Sequence, residues 1–548
     1  MRKKSMAVLL SAAMTASMLA GCGSSGQSQE AAQPQETTQP QGTSAAAVEP
    51  AEEFAYPMAD GPKFTYWCDL NTVVSPNFSN LGETPFAKNW MAKTGAEIEF
   101  LHPPLGQLKE QFSLIVADGN LPDLMEYNWG VDYPGGPEKA IKDGVIIPLN
   151  DVFEKYCPNI VKYLKEHPDV DRMVKTDDGN YYCFPFIRGD EKLCYTTGLM
   201  LRKDWLDDLG LEVPKTIDDW HTVLTAFRDE KGATAPYTFE YTNAMLYAAD
   251  PFVYAFGSDR GFYIADDGTV HYGAAEEGYK QYLELMRQWY DEKLIDPDLA
   301  TMGFDQVNAK MTNGAAGAAI GYAGGRMGVW IPAARVNDPN YNLVAAPFPT
   351  VNEGDYPEFG AKENPARASV AITTSCKDIE HAARLMDWGY SEDGHMAFNF
   401  GVEGESYEMI DGYPTYTDFI MNNPDGLPIS QAMGTYIRGN YNGPFVQDLH
   451  YLEQYYTLDE QKATSDIWGG TNAAKHILPP ITPTSEESKE FAALMNEINT
   501  YRDEMTLKFI LGTADIAEFD AYVKNLETMG INRALEIQNS ALERYNAR

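Results

Sequence analysis

Cysteine is scarce in this chain: 6 among 548 residues, and no two of them form a C-x-x-C pair. That spacing offers neither a disulfide framework nor a zinc site. Cys183 and Cys194 flank an extended segment, where a pair across a hairpin or two buried thiols would both fit. The 8 histidines are scattered, and H-E-x-x-H, G-x-S-x-G, G-x-x-x-x-G-K-[ST] and a G-x-G-x-x-G behind a strand are all missing. No cofactor or metal is therefore expected. Glycosidases need only two carboxylates, which sequence alone cannot pair, so a surface polysaccharide-acting enzyme stays an alternative.

Positive charge is also short. The chain holds 80 acidic against 42 basic side chains, a formal net charge of -38. Such a surface is well solvated and repels nucleic acid, so no nucleic-acid partner is expected. Beyond the first 21 residues no apolar run approaches the 18 or so needed to cross a bilayer, and membrane contact is expected through an anchor only.

The start of the chain supplies that anchor. Arg2, Lys3 and Lys4 precede the apolar stretch Met6 to Leu19, which is too short to span and has the layout of a secretory signal. It ends in Leu19-Ala20-Gly21-Cys22, which resembles the lipobox of bacterial lipoproteins. The resemblance implies a signal peptide over 1–21 and a diacylglycerol on Cys22. From 22 to 57 the chain is rich in Ser, Gln, Ala, Thr, Pro and Glu and cannot bury a core. As a coil such a tether reaches roughly 30 Å. The expected location is the extracytoplasmic face of a cell membrane.

The remaining 490 or so residues exceed one hydrophobic core, which predicts two lobes. Lys63 to Trp67 reads as a strand, Phe86 to Lys93 as a helix and Ala96 to Leu101 as a second strand, an order that implies a parallel sheet. Leu105 to Ala117 reads as the next helix, and Leu121 to Met125 leads into a third strand. Asp177-Asp178-Gly179 and Asp266-Asp267-Gly268 are hairpin turn signals, without the terminal Glu of a calcium loop. Tyr279 to Tyr290 and Ile379 to Tyr390 carry core stripes, and from Glu486 onward the chain reads as almost wholly helical.

Arg202-Lys203-Asp204-Trp205-Leu206, then Leu209-Gly210, Val213-Pro214-Lys215-Thr216 and Asp219-Trp220, form a long specific string. Further landmarks in the same order are Leu121-Pro122-Asp123, Gly278-Tyr279-Lys280, Leu294-Ile295-Asp296-Pro297, Gly401-Val402-Glu403-Gly404 and Lys508-Phe509-Ile510. Together they resemble the extracellular solute-binding lipoproteins of ABC transporters, family 1, oligosaccharide-binding branch. The resemblance implies an α/β, two-lobed periplasmic-binding-protein-like fold, with a hinge and a ligand cleft between the lobes. Lobe 1 would comprise 58–190 and 350–430, and lobe 2 would comprise 191–349 and 431–548. Hinge crossings would lie near 184–197, near 345–349, and between 423 and 441. The implied function is capture of a carbohydrate by a monomer and its delivery to ABC permease subunits, with a peptide or another polar solute as the alternative ligand.

A sugar offers an apolar CH face and a rim of hydroxyls, and so calls for flat aromatic platforms with planar polar groups around them. Tyr127, Asn128 and Trp129 follow the third strand's carboxyl end, where open α/β sheets bind ligands. Tyr322, Arg326 and Trp330 follow the small-residue strand 315–320, and Trp67 and Asp69 follow the first strand. Arg188 lies at the first crossing, and Trp468 resembles a late aromatic that stacks on sugar in relatives. Arg188, Arg326 and Arg367 together would suit an acidic sugar, though the calcium loop of alginate-binding relatives is not evident. Trp205 is expected in the core.

Overall fold

The computed structural model describes residues 54–241, 251–438 and 442–548. The expected signal segment, Cys22 and the tether to residue 53 lie outside the described residues, as do 439–441 of the expected third crossing. No helix among the described residues is long and apolar enough to cross a membrane.

Among the described residues fourteen strands follow in chain order: β1 (Lys63–Trp67), β2 (Glu97–Leu101), β3 (Leu124–Glu126), β4 (Phe184–Arg188), β5 (Thr197–Arg202), β6 (Ala235–Thr238), β7 (Phe262–Ile264), β8 (Val270–Tyr272), β9 (Ala316–Tyr322), β10 (Leu343–Ala345), β11 (Ala366–Ile372), β12 (Tyr407–Ile410), β13 (Tyr413–Tyr416) and β14 (Val446–Gln447). Six form one sheet in the order β14-β4-β11-β3-β1-β2, and four form a second in the order β10-β5-β9-β6. β1 runs parallel to β2 and β3, as the strand-helix-strand order requires, while β11 enters antiparallel between β3 and β4. The two Asp-Gly turns close as expected, one through the bridge between Lys175 and Tyr181 and the other as the β7–β8 hairpin.

Local chemistry explains the helices that frame these sheets. Pro85–Thr94 starts on Thr84, whose hydroxyl accepts from the Ala87 N–H at 3.2 Å, and stops at Gly95 with φ 76°. Ile217–Asp229, inside the family-like string, opens with a Thr216/Asp219 capping box and buries Trp220, Val223, Leu224 and Phe227 against the second sheet. Trp205 joins that core, as expected. The C-terminal helices Ser485–Leu511, Phe519–Met529 and Ile531–Asn546 complete the second lobe, burying Ile498, Phe509, Leu526 and Ala534 in the core that holds Leu283 and Trp289.

The chain passes between the sheets three times. The first passage runs from β4 to β5 and the second from β10 to β11. The third differs from expectation. β14 pairs in parallel with β4, so Val446–Gln447 belongs to the first sheet, and the return comes only after Gln447. The expected assignment of all of 431–548 to the second lobe is corrected there. A two-residue edge strand leaves almost no sequence trace, which is why the boundary was misplaced.

Candidate functional site

The carboxyl ends of β1, β3, β4 and β14 and the entry of β11 face the second sheet across a cleft with three arms. Glu363, on the second passage, lines all three. Its backbone N–H donates to the Cys194 carbonyl at 2.9 Å, tying the second passage to the first. Its carboxylate receives the Arg188 guanidinium, and the Thr196 hydroxyl donates to it at 3.3 Å. Arg188 is further fixed by donating to the Asn364 carbonyl at 3.2 Å.

One arm, of about 470 Å³, runs between Thr72, Val73, Arg188, Arg367 and Gln447 of the first lobe and Phe304, Tyr322, Gly324 and Val329 of the second. Phe304 is 54% exposed and Tyr322 37% exposed, so both present ring surface to solvent. Gly324 is required here, because a Cβ would lie 2.5 Å from the Tyr455 ring. A second arm, also about 470 Å³, is bounded by Asn128, Gly130 and Val131 after β3, by Lys362 to Ala368, and by Ile477 to Thr482. The third arm, about 400 Å³, is walled by Tyr254, Tyr263, Tyr322 and by Phe359 stacked on His476 at 4.2 Å. At its floor burial raises the pKa of Asp259, although the Gly261 N–H donates to its carboxylate at 2.7 Å.

The residues expected from sequence divide sharply. Arg188, Tyr322, Arg367 and Asn128 line the cleft. Trp129 does not: it is fully buried, its Nε1 donates to the Met125 carbonyl at 3.2 Å, and Tyr133 stacks on it. Tyr127 is buried beneath the strand end, stacked on Phe112 at 3.7 Å, and Trp67 packs in the same core. Trp330 is fully buried and donates to Asn308 at 2.7 Å. Arg326 is buried against Glu240 and Asn308, its guanidinium 3.8 Å from the Phe304 ring centroid. Trp468 lies flat on Gly198 and donates to the Leu199 carbonyl at 3.1 Å. Asp69 is exposed and lines none of the three arms. Thus Trp67, Tyr127, Trp129, Arg326, Trp330 and Trp468 are core side chains, and the aromatic surface of the cleft includes Tyr254, Tyr263, Phe304, Tyr322, Phe359 and Tyr455.

Sequence reading missed Phe304, Phe359, Glu363, Gln447 and Tyr455. The available signal was weak: Glu363 stands in a polar run just before Pro365 and β11, and Phe304 follows Gly303 at a helix start. The five described cysteines are free and buried, so Cys183 and Cys194 are two thiols and not a pair.

Residues 80–396 match the family described as bacterial extracellular solute-binding protein. The chain belongs to this family. Among relatives of this solute-binding protein, the fructooligosaccharide ABC transporter substrate-binding protein FusA of Streptococcus pneumoniae serotype 4 (strain ATCC BAA-334 / TIGR4) is 25% identical over 478 residues, covering 83% of this chain and 86% of FusA. Lipoprotein LipO of Bacillus subtilis (strain 168) is 22% identical, covering 85% of this chain and 90% of LipO. Two solved structures share the fold: the alginate-binding protein AlgQ2 without calcium ion, at TM-score 0.70 and 24% identity over 88% of this chain and 98% of that one, and S. pneumoniae FusA with kestose, at TM-score 0.71 and 22% identity over 88% and 99%. The fold is accordingly the two-lobed α/β fold of solute-binding proteins.

Proposed function

We propose that this solute-binding protein captures an oligosaccharide in the three-armed cleft and delivers it to the permease of an ABC importer. The observation that carries the reading is the facing of exposed rings, Phe304 and Tyr322, against a rim of Arg188, Glu363, Arg367 and Gln447. Ring faces suit the CH surface of a pyranose or furanose, and forked or planar polar groups suit its hydroxyls. Because the walls come from both lobes, a bound sugar stabilises the closed form by its differential affinity for that form. The printed names of relatives, which include fructooligosaccharide, polygalacturonan/rhamnogalacturonan and melibiose/raffinose/stachyose binders, support a saccharide.

The binding protein acts as a monomer held outside the membrane by a diacylglycerol on Cys22, after removal of 1–21. The Leu19-Ala20-Gly21-Cys22 sequence and the similarity to a lipoprotein support this reading. Cys22→Ser is expected to release the protein from membranes into the soluble fraction; retention on membranes would refute the anchor.

Calorimetry of the full chain against kestose, stachyose, galacturonan oligomers and a peptide mixture tests the reading. Saturation of the protein by one intact saccharide, weakened at least tenfold by Tyr322→Ala, is the expected result. Cleavage of the sugar would make the protein an enzyme, and binding confined to peptides would overturn the carbohydrate reading.

A further inference from the structure

The chain carries almost twice as many acidic as basic side chains, yet the two larger arms of the cleft invert that ratio. Among the described residues that line them, the cations are Arg188, Lys362 and Arg367, and the only carboxylate is Glu363. Arg188 and Arg367 both approach the Phe186 ring, their guanidinium carbons 5.6 and 5.4 Å from its centroid. Lys362 lines the second arm, its ammonium 4.6 Å from the Tyr195 ring and 3.1 Å from Glu191.

From this local inversion we infer that the captured saccharide is anionic, with a uronic-acid carboxylate received by Arg367 and Arg188 where the two arms meet. The inference rests on the saccharide reading above and narrows it. A guanidinium fork matches a carboxylate with two parallel hydrogen bonds, and two such forks meet at this ring. Gathering like charges in a partly dry cleft is costly, and an incoming carboxylate reverses that cost. Burial first, and the Arg188 charge next, push the pKa of Arg367 down, which is the same cost expressed at that group. Two arms with an excess of cations, set in an acidic surface, also concentrate ligands of negative charge at their mouth. Glu363 then orients Arg188 and rejects misplaced carboxylates.

The test is calorimetric titration of the full chain with galacturonate oligomers, with the same oligomers methyl-esterified, and with kestose and stachyose, at low and high salt. The expected result is binding of the acid at least tenfold tighter than the ester, an affinity that falls as salt rises, and loss of that discrimination in Arg367→Gln. Lys362→Gln provides a second variant, expected to reduce the salt dependence, should Arg367→Gln not fold. Equal binding of acid and ester, or binding of the neutral sugars alone, overturns this inference and leaves the saccharide reading intact. Binding of peptides alone overturns both.

Discussion

Asp177, at the tip of the first lobe's 175–181 turn, receives the last residue of the chain: Arg548 Nη2 lies 2.6 Å from Oδ1, and Arg544 Nε lies 2.7 Å from Oδ2. Arg548 also donates to the Lys175 carbonyl at 2.6 Å and to the Thr482 hydroxyl at 2.9 Å. Beneath these bonds Met173 of the first lobe packs with Leu542, Tyr545, Leu478 and Ile481. The C-terminal helix thus joins the two lobes by side-chain contacts, in addition to the chain passages.

Asp177→Asn should therefore lower stability by about 2 kcal/mol. Arg548 has only 2% of its side chain exposed, and removing the charge opposite a buried guanidinium costs several kcal/mol at most when solvent can partly compensate. Urea denaturation at low salt measures it. An effect below about 0.5 kcal/mol would mean that the backbone acceptors alone satisfy Arg548.

Arg326→Met separates a core role from a sugar contact. The pair of Arg326 with Glu240 is almost fully buried, at 2% and 1% side-chain exposure, so breaking it removes the guanidinium from beside a buried carboxylate. Such losses cost about 3 kcal/mol. The melting temperature should fall, while the folded fraction binds saccharide with a dissociation constant within about threefold of the original. A large loss of affinity in properly folded protein would return Arg326 to the ligand.

Gly198→Ala tests the placement of Trp468. A Cβ at 198 would stand 2.4 Å from the indole Nε1, and the ring is walled in by the second sheet. Overpacking of this kind costs about 1–3 kcal/mol. The variant should lose that much stability and shift the tryptophan emission to the red as the indole is dislodged. An unchanged melt and spectrum would show that Trp468 is free to swing toward the cleft.

The sequence made the scaffold legible where periodicity and capping agree. Lys63–Trp67, Ala96 to Leu101, both Asp-Gly hairpins and the helix behind Thr216 follow from alternation, turn residues and a capping box, which are all local. The cleft was legible only at Arg188, Tyr322, Arg367 and Asn128, residues at or close to strand ends. Tryptophan misled, because a large ring at a strand end is as good a plug for a core as a platform for a sugar. Trp129, Trp330 and Trp468 each satisfy their indole N–H inside the protein, and no local pattern announces that bond. Glu363 and β14 depend on contacts between segments far apart in the chain, which one sequence does not reveal.

Asp387 should make part of the stability fall as pH rises. Its carboxylate is 1% exposed and caps the helix Pro158–Glu166, accepting from Asn159 N and Ile160 N at 3.2 and 2.9 Å and from Asn159 Nδ2 at 2.8 Å. Burial pushes its pKa up to about 6, against the lowering effect of those three donors and of Arg384; Tyr56 and Cys157 are the other titratable groups facing it. An unfolded Asp titrates near 3.9. Between roughly pH 4 and pH 6 the folded protein therefore holds a proton that the unfolded chain has released. This group's contribution is complete below about pH 4 and is lost as pH rises through about 6, to the extent of about 3 kcal/mol. Asp448, Asp503 and Glu487 act in the opposite sense, since their folded pKa values lie below the ordinary ones and their contribution is lost on acidification. Global melts would mix the two, so the decisive measurement is carboxyl carbon NMR of Asp387 itself. A midpoint near 6 is expected. A midpoint at or below 4 would mean that the three N–H donors outweigh burial, and that Asp387 works as an ionised cap which loses its contribution in acid.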